Sequence, residues 1–171
     1  PPAGTVTLIR AAPVTPPPPP PPEVAAGRTE SLRKFLDPEI RQGLVSVRED
    51  AQTIGVRIAG DGMFASGRAE VLEQFKPLLA RIGQALNDQP GAILVTGHTD
   101  SQPIRSLRFP SNWDLSLARA KAAATLIGGD MADPSRLTSE GKDASQPVAS
   151  NDTDQGRKLN RRIELVISKA Q

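Results

Sequence analysis

The chain has 171 residues, 37% hydrophobic and 23% charged, the balance of one globular domain with attachments. Twenty-one Lys and Arg against 19 Asp and Glu leave a net charge of only +2, and aromatics at 3% are too sparse to stack bases, so nucleic acid is not an expected partner. With no cysteine, disulfides, thiolate metal sites and Cys nucleophiles are excluded, and no run is long or apolar enough to span a membrane. Trp113 and four Phe are the only aromatics, so Val, Ile, Leu and Ala must build the core.

Residues 1–28 are rich in Pro and poor in core-forming residues. Thr5 to Ile9 has the composition of a short strand with nothing nearby to cover it. Pro16 to Pro22 is an unbroken proline run. In polyproline II at ~3.1 Å per residue it spans roughly 20 Å, and residues 1–28 fully extended reach roughly 85 Å. A stiff tether is favoured over a disordered tail or a PxxP ligand, because a Pro run resists collapse. The chain opens at Pro1 without an initiator Met and is read as part of a longer protein, with any anchor or targeting signal upstream.

The domain is expected over 29–171, with a helical lead-in at 29–41. Thr29-Glu30-Ser31-Leu32 starts a helix with Leu32, Phe35 and Leu36 on one face. Asp37-Pro38 restarts it, Asp as cap and Pro at the first position. Leu44–Val47 and Ile54–Ile58 alternate around the polar turn Glu49–Gln52 and predict a β-hairpin. From Arg68 to Leu86, apolar residues recur at steps of three and four, predicting a helix that Pro77 bends. Ala92–Thr96 reads as a central strand buried on both faces.

Ser111, three residues before Asp114, marks the next helix start, and Gly128-Gly129 ends it. Arg136–Glu140 is a short strand. Arg162–Ile167 is a final strand with Ile163, Leu165 and Ile167 inward. The fold class is therefore α/β: a mixed sheet with helices packed on one face.

Leu115, Ala118, Ala122 and Leu126 are expected to face that sheet, while Asn112, Ser116 and Arg119 share another stripe. This second stripe sits near the helix N-terminus, where free N–H groups favour an anion. The preceding strand delivers Asp100 to the loop leading into the helix. An acidic and a basic wall then suit a zwitterion, ammonium on Asp100 and carboxylate on the Arg119 fork. The alternative, that the two residues pair with each other or are solvated, stays open. His98 has no second His or Cys to complete a metal set, and no nucleophile-elbow pattern is present.

Taken together, Gly97-His98-Thr99-Asp100, the Asn112…Leu115-Ser116…Arg119-Ala120 run, Gly141…Pro147, Asn151 and Asn160-Arg161-Arg162-Ile163-Glu164 resemble the OmpA-like peptidoglycan-binding domain, over about residues 42–168. The order of these motifs makes the match specific. The resemblance implies a hairpin-α-β-α-β order, no cofactor, and binding of the diaminopimelate of the peptidoglycan stem peptide without cleavage. Asp100 would take the ligand's ammonium and Arg119 its carboxylate. Thr99, Asn112, Leu115 and Ser116 would line the pocket, Arg162 would close it from the last strand, and Asn160 would shape that approach.

The long loop Ser101–Trp113 and Phe64-Ala65-Ser66-Gly67 resemble inner-membrane members of the family. They are similar in part to flagellar stators. Leu36–Ile40 and Arg108–Trp113 are more similar to the periplasmic extension of a type VI secretion subunit. That implies other type VI secretion membrane-complex subunits as partners; a homodimer is kept as an alternative assembly. Arg105 and Arg108 either add a carboxylate contact or are solvated. Competing expectations are an amidase or peptidase acting on wall peptides, and a degenerate domain that only docks proteins.

Overall fold

The computed structural model describes residues 23–60, 62–65, 67–104 and 108–169. The Thr5–Ile9 strand, the Pro16–Pro22 run and Arg105 lie outside these described residues. Helix α1 (Glu23–Phe35) begins six residues before the expected start at Thr29. Leu32 of this helix and Leu36 just after it are buried in the core, but Phe35 is exposed on the flank, with the Arg81 guanidinium 4.7 Å above its ring. In α2 (Asp37–Arg41), Leu36 rather than Asp37 is the cap. Asp37 is the first helical residue and pairs with Arg41 one turn on, at 2.9 Å.

The hairpin forms where alternation predicts it. Strand β1 (Val45–Glu49) pairs antiparallel with β2 (Thr53–Ala59), Val47 opposite Val56. Asp50 closes the turn, its Oδ1 accepting from the Gln52 and Thr53 amides at 2.8 and 2.7 Å.

The stretch Arg68–Leu72 is not helical. A 3-10 turn covers Glu73–Phe75, and helix α3 starts at Lys76 and runs to Leu86. Pro77 therefore sits in the first turn, where its missing N–H costs nothing; deeper in a helix its ring would strike the carbonyl four residues back. Upstream, Phe64 bridges Val71 antiparallel and the Leu72 amide donates to the Met63 carbonyl at 2.9 Å. This folded-back segment becomes a wall of the site.

Strands β3 (Ile93–His98), β4 (Leu137–Gly141) and β5 (Arg162–Ser168) complete one mixed sheet in the order β1-β2-β5-β3-β4. Only β3 and β4 run parallel, and helix α4 (Asn112–Gly128) supplies the crossover that a parallel pair needs. Ile54, Val56, Ile58, Ile93, Val95, Ile163, Leu165 and Ile167 form one face, each at most 1% exposed. Helices α3 and α4 cover that face through Leu79, Ile82, Leu86, Ala120, Ala123 and Ile127. The expected mixed sheet with helices on one face is thus observed, with a short helix α5 (Asp154–Asn160) added before the last strand.

The buried stripe of α4 runs one position off the expected one. Ser116, Ala120, Ala123 and Ile127 are fully buried, whereas Ala118, Ala122 and Leu126 are half-buried. Alanine-rich helices carry little contrast between faces, so contacts on the sheet decide the rotation. A Cβ on Gly97 would strike the Ser116 carbonyl, and one on Gly141 would meet Ser116 Oγ at 2.6 Å. Two glycines on adjacent strands therefore let the helix backbone approach the sheet at Ser116.

Candidate ligand-binding site

Strand β3 ends at His98, and the chain then turns out of the sheet. The Thr99 amide donates to the Asp143 carbonyl at 2.9 Å, which fixes the exit. The next residue, Asp100, is buried in the loop leading to α4. Its Oδ1 accepts from the Gln102 amide at 3.0 Å, and its Oδ2 pairs with Arg161 Nη1 at 2.5 Å.

Helix α4 starts at Ser111. The Ser111 hydroxyl accepts from the Asp114 amide at 3.2 Å and donates to the Asp114 carboxylate at 2.7 Å, a cap worth about 1 kcal/mol. Asn112 Nδ2 donates to the Gln102 carbonyl at 2.9 Å, tying the loop to the helix. Two turns in, Arg119 is buried. Its Nε donates to the Arg68 carbonyl at 2.8 Å and its Nη2 to the Ala65 carbonyl at 3.3 Å. The Phe64 ring lies 4.9 Å from the guanidinium carbon. Burial pushes the Arg119 guanidinium down to about 10, the Arg161 charge pushes the same way, and Asp100 opposes both. The group stays cationic at neutral pH.

Between these walls lies a cavity of about 370 Å³, the size of a small-ligand site. Thr99, Asp100, Asn112, Leu115 and Arg119 all line it, joined by Phe64, Ile104 and Arg161. Asp100 and Arg119 do not pair with each other. Asp100 pairs with Arg161, while Arg119 is held by backbone carbonyls, and among the described residues its Nη1 donates to nothing.

Three expected residues are placed elsewhere. Ser116 is fully buried beneath α4, where its hydroxyl donates to the Trp113 carbonyl at 2.9 Å and accepts from the Asp143 amide at 3.1 Å. Asn160 is also fully buried. It accepts from the Val148 and Ala149 amides at 2.7 and 2.9 Å and donates to Asn151 Oδ1 at 2.8 Å. The same Asn151 oxygen accepts from the Ser101 amide at 3.3 Å, so Asn160 shapes the loop beyond Asp100 without touching the cavity.

Arg162 does not close the cavity. It lies on the helix-free face, donating to Glu164 at 2.5 Å and to the Asn160 and Gln146 carbonyls. Strand alternation explains the correction: if Ile163 faces the helices, Arg162 faces away and Arg161 shares the helix side. That parity was the signal for Arg161. His98 also faces away from the helices, its Nε2 4.0 Å from Glu164. Arg108 pairs with Glu70 at 2.8 Å in solvent, a contact of small energetic weight.

Residues 63–161 match the OmpA family. The chain belongs to the OmpA family. This OmpA-family domain is 44% identical to the cell wall anchor of the type VI secretion system from Pseudomonas aeruginosa, with a TM-score of 0.77 over 81% of this chain and 97% of that one. A MotB-like protein from Desulfovibrio vulgaris superposes with a TM-score of 0.78 at 25% identity, over 86% of this chain and 96% of that one. Motility protein B of Bacillus subtilis is 32% identical over 138 residues, 80% of this chain and 53% of its own length. The chain spans about half the length, or less, of the curated relatives it matches. No helix among the described residues is long and apolar enough to cross a membrane.

Proposed function

We propose that this domain binds the peptidoglycan stem peptide non-covalently, through its diaminopimelate. Asp100 receives the ammonium and Arg119 the carboxylate of one amino-acid end, and the apolar surface of Phe64 and Leu115 takes the methylenes that lead away from it. The observation that carries this reading is the separation of the two charges. A buried carboxylate and a buried guanidinium line one cavity, unpaired with each other, and the guanidinium keeps free donors. A zwitterion with both charges at one end of an aliphatic chain matches that arrangement.

The biological role follows as the periplasmic wall anchor of an inner-membrane subunit of type VI secretion, with other subunits of that complex as partners. The 44% identity to a type VI cell wall anchor supports this over a flagellar stator. The domain binds without cleaving, a reading supported by the position of His98 behind the sheet, away from the cavity.

The test is sedimentation with purified diaminopimelate-type cell wall. The chain should pellet with the wall and be released by free diaminopimelate. A chain that stays in the supernatant contradicts the proposal. Muropeptides incubated with it should keep their masses. Cleavage that disappears in His98→Ala overturns the binding-only reading.

A further inference from the structure

Arg119 has five N–H donors, in two forks usable for a carboxylate: side-on through Nε and Nη2, or end-on through Nη1 and Nη2. The side-on fork is already occupied. Its two donors point at the Arg68 and Ala65 carbonyls, and the Ala65 oxygen also accepts from the Arg68 amide at 3.0 Å. One tight turn, 65–68, therefore presents both acceptors. Gly67 stands in that turn at φ +69°, a conformation other residues adopt only under strain, and a Cβ there would press on Ile104 at 3.3 Å. Phe64 enters the turn, is buried, and lays its ring against the guanidinium.

The geometry points to Phe64 as the positioning residue of the site: with the 65–68 turn it clamps Arg119 so that a ligand carboxylate is accepted only end-on. This rests on the proposed reading of Arg119 as the carboxylate receiver. Two consequences are specific. A side-on carboxylate would have to break both backbone bonds, so the clamp fixes the direction from which the ligand enters. An ammonium in place of the guanidinium cannot satisfy two carbonyls and also present a planar fork, so Arg119→Lys does not substitute.

The experiment pairs affinity for meso-diaminopimelate with the Arg119 Nε–H signal in nitrogen-resolved NMR, assigned by its loss in Arg119→Lys. In the unliganded wild-type chain that proton should be protected from solvent exchange by the Arg68 carbonyl. Phe64→Leu should weaken diaminopimelate binding roughly three- to thirtyfold and speed exchange of that proton. Phe64→Tyr, which keeps the ring face, should recover both relative to Phe64→Leu. If Phe64→Leu does not fold, Gly67→Ala tests the same clamp by straining the turn, with the same two losses expected.

A folded Phe64→Leu chain with unchanged affinity, or with unchanged protection of Arg119 Nε–H, overturns the inference. A wild-type chain that shows the protected signal yet binds no diaminopimelate overturns the functional reading instead, and leaves the clamp to be judged by exchange alone.

Discussion

Two charged clusters grow from neighbouring residues and end on opposite faces of the sheet. His98 and Arg162 belong to the helix-free face, Asp100 and Arg161 to the helix side. Each cluster sets an acid among guanidinium groups, Asp100 buried and Glu164 partly so. On the helix-free face, Glu164 accepts from Arg57 at 3.1 Å and from Arg162 at 2.5 Å, and the remaining Arg162 nitrogens donate to backbone carbonyls. Burial alone would raise the Glu164 carboxyl, but the Arg162 hydrogen bond and the surrounding positive charges hold it below the usual range. The Arg162–Glu164 pair is closed, although the buried Nδ1 of His98 beside it has no partner among the described residues. On the helix side, Arg119 is also buried but, among the described residues, keeps an open end-on fork beside a cavity. The trough beside the closed cluster is smaller, about 230 Å³. Charge burial alone therefore does not mark a site; an unfilled set of donors around a cavity does.

The largest expected effect separates the clusters by function. Asp100→Ala or Arg119→Ala should cost about 2–5 kcal/mol of wall affinity, enough to leave the chain in the supernatant. Arg57→Ala, on the other face, should leave sedimentation within twofold.

Next, Glu164→Ala should lower unfolding stability by about 3–5 kcal/mol, because it leaves the Arg162 guanidinium buried without its counter-charge. Urea titration reads this loss, and the folded fraction should still bind wall.

Acid should act on the closed cluster through His98. Burial, reinforced by the Arg162 charge and only partly opposed by Glu164, depresses His98 to about 4 from 6.5. Below pH 6.5 the unfolded chain takes up a proton that the folded chain refuses, so stability is full above 6.5 and falls as pH drops towards 4. The loss should reach on the order of 2–3 kcal/mol, seen as a falling Tm, and His98→Gln should flatten that slope.

The smallest effect expected is Ser111→Ala, about 1 kcal/mol from the lost cap. It should show in Tm with a modest fall in affinity, because the same turn carries Asn112.

The hairpin and the Ser111 helix start were legible because each has a local cause: alternation around a polar turn, and a capping pair. Asp100, Asn112 and Arg119 were legible together because one strand end and the first two turns of one helix carry them, whereas Thr99 and Leu115 came only with the family resemblance. The 64–72 segment was not. Its apolar spacing continues that of α3, and only a non-local bridge from Phe64 to Val71 turns it into a wall of the site. The α4 rotation was hidden for a related reason, since it depends on two distant glycines rather than on the helix itself. Arg161 was recoverable from strand parity, but the neighbouring Arg162 offers the same chemistry and drew the assignment.

The central claim, that the open cluster and not the closed one receives the ligand, is tested most directly by titrating the nitrogen-labelled chain with meso-diaminopimelate and mapping the shifted NMR signals. The account predicts shifts gathered at Thr99, Asp100, Gln102 and the Arg119 side chain, with the amides of Arg57 and Glu164 unmoved. Shifts centred on the helix-free face, or none at millimolar ligand, would contradict it.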